Sequence, residues 1–395
     1  MTTRALSPEF LLTAACCRWP PSEARDTALR TAASGVTDWR RFLATVKRHR
    51  VLGLVNQALS TAAIPVSSSV AEELATRAKR VVRRNMLLTG EAARLQRLFA
   101  AAGIPSLVLK GIAVAQLAYG SLGTKQTMDL DLLVPQQHAE AAWQILEREG
   151  FMPASPTKHF TAMQRRALIR YGKDVELARS GLRFRVDLQW RAAYNPTLLR
   201  GVDAHSPAQD VAVGDGLNVR TLARDDLFAY LCVHGAQHAW SRLKWLADLN
   251  ALIAANAADV ERLYRHAQRI GAGLCAGQAL LLCQWLLALN LPAGLAAELA
   301  GDKRVNKLTA LALTAMTAPK TEMESARTLA GLIRVVSMQF LLGRGWTFYA
   351  AQLRAMAAAP ADIVHLPLPP ALYFLYPLLR LPLWLWRRAT ARFPR

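Results

Sequence analysis

The run Met128-Asp-Leu-Asp-Leu-Leu-Val134 constrains the fold more than any other part of the chain. Its composition marks a strand, and in a strand residues i and i+2 face the same way. Asp129 and Asp131 therefore project together, while Leu130 and Leu132 point into a core. A second run, Leu182-Arg-Phe-Arg-Val-Asp-Leu-Gln-Trp190, alternates cleanly and reads as another half-buried strand. It sets Asp187 outward between inward Val186 and Leu188. Ahead of both, Ser106-Leu-Val-Leu109 is a short apolar strand ending in Lys110-Gly111, and Ile112 to Tyr119 has helical composition. Residues 137–149 read as a helix closed by Gly150. Strand, helix, strand, helix, strand gives a compact α/β unit over about residues 99–192.

Helices flank this unit on both sides. Residues 1–98 read as helices with polar joints, and the long helix from Val70 carries Lys79, Arg80, Arg83 and Arg84 on a solvated face. Residues 201–226, rich in Gly and Asp, read as a polar irregular stretch, after which helical composition resumes to about residue 355. The expected organisation is an N-terminal helical region (1–98), an α/β core (99–215), a C-terminal helical domain (216–355) and a tail rich in Pro, Trp and Arg (356–395). The fold class is α+β: a small mixed sheet enclosed by helices from both ends of the chain. A content of 52% hydrophobic and 19% charged residues excludes a disordered chain. The formal charge of +21 favours nucleotides, nucleic acid or anionic membrane as partners.

Cys16, Cys17, Cys232, Cys275 and Cys283 form no CxxC pair and no zinc spacing, so the cytoplasm is the expected compartment. No secretory signal is visible. The uncharged stretch 270–297 is interrupted by Gly271 and Gly273 and closed by Pro292, and it reads as a buried core helix rather than a span. In the uncharged stretch 363–379, Pro367, Pro369, Pro370 and Pro377 argue against a transmembrane helix. Arg380, Arg387, Arg388, Arg392 and Arg395 follow, with Trp384 and Trp386 between them. That pattern suits a segment lying on an anionic membrane surface. It equally suits a tail packed on the body with its arginines in water.

Two carboxylates side by side repel unless a cation lies between them. Mg²⁺ takes one or two carboxylates together with phosphates and water. Three carboxylates on one sheet can hold two metals for in-line phosphoryl displacement. DxD alone occurs by chance; placed after a strand–Lys-Gly–helix unit and before a lone strand Asp it is far more specific. Leu109-Lys110-Gly111, Tyr119-Gly120, Met128 to Val134 and Val186 to Trp190 resemble the uncharacterised nucleotidyltransferase family of bacteria, within the DNA polymerase beta-like nucleotidyltransferase superfamily. The block from Cys232 to Leu249 resembles that family's helical motif. The likeness runs from about residue 5 to the end and is densest over residues 105–250.

The resemblance implies Asp129, Asp131 and Asp187 as catalytic ligands of Mg²⁺ or Mn²⁺. It implies an NTP, ATP first, with its phosphates at the helix N-terminus opened by Gly111. Lys110, Lys125 and Arg242 would line the cleft and meet the triphosphate. Two departures stand out: Lys125 replaces an Arg common in relatives, and Gln189 a His. The implied reaction moves an NMP group to a hydroxyl of a peptide, small molecule or sugar and releases pyrophosphate. The family's association with natural-product and surface-polysaccharide gene sets suggests those acceptors.

His234 and His238 lie four apart on an expected helix and so share a face. Without a flanking Glu or Cys they do not define a zinc site, and they read as a structural or substrate-contacting pair. Trp240 and Trp245 suit base stacking, although helix-packing tryptophans are commoner. Asp248 is placed to orient a His or to pair with Arg242. A different class of function also fits the charge: a non-catalytic protein on the same fold that binds nucleic acid or anionic membrane. The presence of all three carboxylates favours the enzyme. There is no P-loop, GxGxxG or GxSxG to support other chemistry.

Overall fold

The computed structural model describes residues 6–154, 159–214, 216–255, 260–318, 329–356 and 360–391. Its centre is a mixed sheet of β1 (Leu107–Val108), β2 (Asp129–Leu133), β3 (Phe151–Pro153), β4 (Asp174–Arg179) and β5 (Arg185–Gln189), in spatial order β1-β2-β5-β4-β3. β2 and β5 run parallel and the other neighbours antiparallel. Alternation decides which side is sealed. Leu130 and Leu132, Val175 and Leu177, and Val186 and Leu188 are all buried. They pack with Leu88, Ala92, Leu95 and Phe99, which recur at helical spacing along the helix Ser68–Ala101, and with Trp143 and Leu146 of the helix Ala139–Arg148. Truncating one such leucine to alanine costs about 2–5 kcal/mol. Asn85, on the same stripe of the long helix, donates to the carbonyls of Leu122 and Lys125 and so fixes the loop that leads into β2.

The α+β expectation holds, and three details differ. Inside the stretch read as irregular, β6 (Ala208–Gly214) and β7 (Leu217–Leu222) pair as an antiparallel hairpin. Val211, Val213 and Val219 are buried there, an alternation masked by the surrounding Gly and Asp. The long helix Ser68–Ala101 runs through the expected boundary at residue 98. N-terminal and C-terminal helices also share one apolar core, in which Leu12, Phe42 and Val46 belong with Trp240, Leu246 and Leu280.

The helix Gly273–Leu287 is buried, as the uncharged stretch implied. All five cysteines are free and buried. Among the described residues no helix is long and apolar enough to cross a membrane. The late prolines do not prevent a helix at Tyr376–Ala391. Pro377 falls in the first turn, where its missing N–H is not needed, and Pro382 is carried inside. Tyr376 packs with Ile363 and Ala167 in a small satellite core, so the start of the tail belongs to the body. Arg392 and Arg395 lie outside the described residues.

Candidate active site

Strand register assembles the site. In the parallel pair, Asp129 lies opposite Arg185, Asp131 opposite Asp187 and Leu133 opposite Gln189. β4 sets Asp174 opposite Gln189 and Glu176 opposite Asp187. Directly opposed residues share a face. Asp129, Asp131 and Asp187 therefore project from the side of the sheet away from the core. Sequence reasoning missed Asp174 and Glu176. The alternation Asp174-Val-Glu-Leu177 carries the same signal as the one in β2 and would have found them.

Lys110 follows β1, and Gly111 turns the chain into the helix Ile112–Tyr119. Gly111 has φ +70°, and a Cβ there would meet Thr127 Cγ2 at 2.8 Å, so glycine is required. The turn carries Lys110 Nζ to 2.5 Å from Asp131 Oδ2 and 3.9 Å from Asp129 Oδ1. Gln189 Nε2 donates to Asp131 Oδ1 at 2.9 Å, and Lys173 Nζ donates to Gln189 Oε1 at 2.9 Å. Asp187 Oδ1 is buried and makes no hydrogen bond.

The charges do not balance. Lys110 holds the Asp129 carboxyl down to about 2. Burial raises Asp131. Burial, with the charges of Asp131 and Asp129 behind it, pushes Asp187 up to about 8. Lys110 is thus the cation between the first two carboxylates, and the third is left uncompensated. Among the described residues no three acidic, His or Cys side chains converge as a ready metal cage. The donor set nevertheless fits a divalent cation: hard oxygens in register on adjacent strands, one of them an orphaned buried oxygen.

These residues open on a cleft of about 570 Å³. Its far wall comes from the helical region, with His234 and His238, Gln339, and Arg380 of the tail. The block Cys232–Leu249, expected as one helix, breaks: the helix Arg224–Gln237 ends, Ala239 and Trp240 take positive φ, and Leu243–Ala254 restarts. Trp240 is buried against Gly235, so it packs and does not stack a base. The break lets His238 stack on Trp245, with ring centroids 5.2 Å apart, while His234 meets both edge-on. Burial holds His234 neutral.

Two expected cations do not line the cleft itself. Lys125 is buried and ion-paired with Asp248, whose other oxygen accepts from Tyr119 Oη at 3.2 Å. Asp248 therefore meets Lys125 and Tyr119. Arg242 caps the helix Leu243–Ala254, its guanidinium 6.0 Å from the Trp245 ring, and lines neither the cleft nor the nook beside it. That nook, about 10 Å³, has room for one water, and its border includes Lys110, Gly111, Thr127, Asp129 and Lys244 together with the Lys125–Asp248 pair. The Thr127 hydroxyl is buried there without a hydrogen bond. Burial and the Lys125 charge push Lys244 down to about 7. Lys244 and Arg50 both act on Asp129, and neither was apparent in the sequence, because each is brought in from a distant helix.

The model of the uncharacterised nucleotidyltransferase family matches residues 35–288. The chain belongs to that family. The match covers every expected site residue and stops short of the helices after residue 288, so the likeness is narrower than one running from residue 5 to the end. Membership supports nucleotidyl transfer as the class of function. No curated protein matches the chain.

Proposed function

We propose that the cleft transfers an NMP group from an NTP to a hydroxyl acceptor. The acceptor oxygen would bond to the α-phosphorus as the bond to the bridging oxygen breaks, releasing pyrophosphate and the acceptor's proton. The observation that carries this reading is Asp187 in register beside Asp131, with one oxygen partnerless and Lys110 already on Asp131. Asp129, Asp131 and Asp187 would hold Mg²⁺ or Mn²⁺. When bound, the metal would neutralise phosphate charge and stabilise the in-line transition state. Gln189 and Lys173 orient Asp131, and Lys110, with Lys244 and Arg50 behind Asp129, supplies positive charge for the triphosphate. A cleft of about 570 Å³ suits a small molecule, a sugar or the end of a peptide as acceptor.

Calorimetric titration with a non-hydrolysable ATP analogue, with and without Mg²⁺, tests the reading. Binding is expected only with the metal, weakened by Lys110→Ala and unaffected by Lys79→Ala on the exposed helix face. Equal binding without metal, or equal effects of the two lysines, would leave general charge as the explanation and favour a non-catalytic binding protein.

A further inference from the structure

The helix Tyr376–Ala391 shows solvent an apolar face. Leu378 is 72% exposed, Leu385 54% and Trp386 53%, and Phe374 in the preceding turn is 67% exposed. Leu378, Pro382, Leu385 and Trp386 stand at i, i+4, i+7 and i+8, a stripe about 100° wide on one side of the helix. Single exposed leucines need no explanation, whereas a stripe of this kind marks an interaction surface. Arg387 and Arg388 follow it directly in the sequence. No described helix is able to span a bilayer.

We infer that this face docks on an anionic lipid surface. Apolar residues with a tryptophan beside arginines are what an interfacial helix needs: side chains that enter the headgroup boundary and charges that meet the lipid phosphates. Charge also selects lipid over a second copy of the chain. Docking a second copy there would bring two chains of +21 each together, whereas an anionic surface is attracted. The opposite side of the helix reaches the cleft. Arg380, about 200° around from Leu378, donates to the Met356 carbonyl, and both residues line the carboxylate cleft. Docking therefore holds the cleft within about one helix diameter, roughly 10 Å, of the lipid. The inference stands without the proposed chemistry.

Sedimentation of the full-length protein with vesicles of phosphatidylcholine, alone or mixed with phosphatidylglycerol, tests it. The protein is expected to pellet with the anionic vesicles and be released by salt. Leu378→Glu with Leu385→Glu should lower partitioning about tenfold or more, and Arg387→Ala and Arg388→Ala about fivefold each. Trp386→Glu serves as a second variant of the stripe. ATP-analogue binding in vesicle-free solution should be the same in all of them, so loss of docking is distinguishable from loss of the nucleotide site. Equal pelleting with neutral and anionic vesicles, or pelleting indifferent to the stripe, would overturn the inference. So would a vesicle-free dimer dissociated by the glutamate substitutions.

Discussion

Two buried lysine–aspartate pairs can be compared, Lys110–Asp131 in the cleft and Lys125–Asp248 in the seam between the sheet and the helical region. Both aspartates have both oxygens engaged: Asp131 by Lys110 and Gln189, Asp248 by Lys125 and Tyr119. The difference lies one strand away. Asp187 sits in register beside Asp131 with an oxygen that nothing engages, and Asp129 adds a third carboxylate. In the seam every carboxylate oxygen is engaged, while the cleft has a surplus carboxyl group, Asp187, with an oxygen that has no partner. Burial and pairing alone describe a structural ion pair; the surplus is what marks a site for a further cation.

The largest effect should come from removing the surplus. Asp187→Asn is expected to lower NTP-dependent pyrophosphate release about 10³-fold, about 4 kcal/mol of barrier. Its melting temperature at pH 7 should stay nearly the same, because burial already holds the Asp187 carboxyl largely protonated there. Activity that survives the change, together with a fall in stability, would make Asp187 a structural residue and end the comparison.

Asp248→Asn should do the reverse. It strands the Lys125 ammonium in a buried position, at a cost of about 3 kcal/mol. Urea unfolding reads the loss, and pyrophosphate release per folded molecule, taken well below the midpoint, should be close to that of the unaltered chain. A loss of activity without a loss of stability would move Lys125 and Asp248 into the site.

The seam also has a pH signature of its own. His49 is buried, and its Nδ1 accepts from the Leu243 N–H at 3.1 Å, at the start of the helix that carries Asp248. Burial first, then the charges of Arg48 and Arg242, hold this imidazole down to about 3. Its folded value lies below its unfolded one near 6.5, so the unfolded chain binds the proton first. The stability it contributes is complete above pH 6.5 and is lost as pH falls toward 3, about 2 kcal/mol of it by pH 5. Urea midpoints across that range should show the slope, and His49→Gln should flatten it. An unchanged slope in the variant would assign the acid sensitivity to other groups.

Much of the cleft was legible because its signals are local. Asp129, Asp131 and Asp187 stand out by alternation within single strands, and Lys110-Gly111 by a strand ending at a glycine. What escaped depends on contacts between distant segments. Lys110 and Lys125 look alike as lysines in the loops around β2, and only the fold sends one to Asp131 and the other to an aspartate 123 residues away. His49 and Leu243 are 194 residues apart, and nothing local to either announces their bond. The break after His238 rests on two residues with positive φ, Ala239 and Trp240, whose side chains disfavour that conformation. The hairpin of β6 and β7 was hidden because Gly and Asp outweighed its valines.

The smallest expected effect belongs to Gln189, and it sharpens the comparison. Its buried amide bridges Lys173 to Asp131, the role that Tyr119 plays for Asp248. Gln189→Ala leaves one Asp131 oxygen without its donor, while Lys173 keeps only its ion pair with Asp174, at 2.8 Å. The net cost of such a bond is about 1 kcal/mol in stability. If the bridge positions Asp131 for a cation, turnover should fall by more than that alone explains, about tenfold, with the metal concentration needed for half-activity raised. Gln189→His keeps a ring N–H able to donate to Asp131, and it should recover most of the turnover while Ala does not. Equal turnover in Ala and His would mean that Lys110 alone orients Asp131. The cleft and the seam would then differ only in the number of carboxylates each contains.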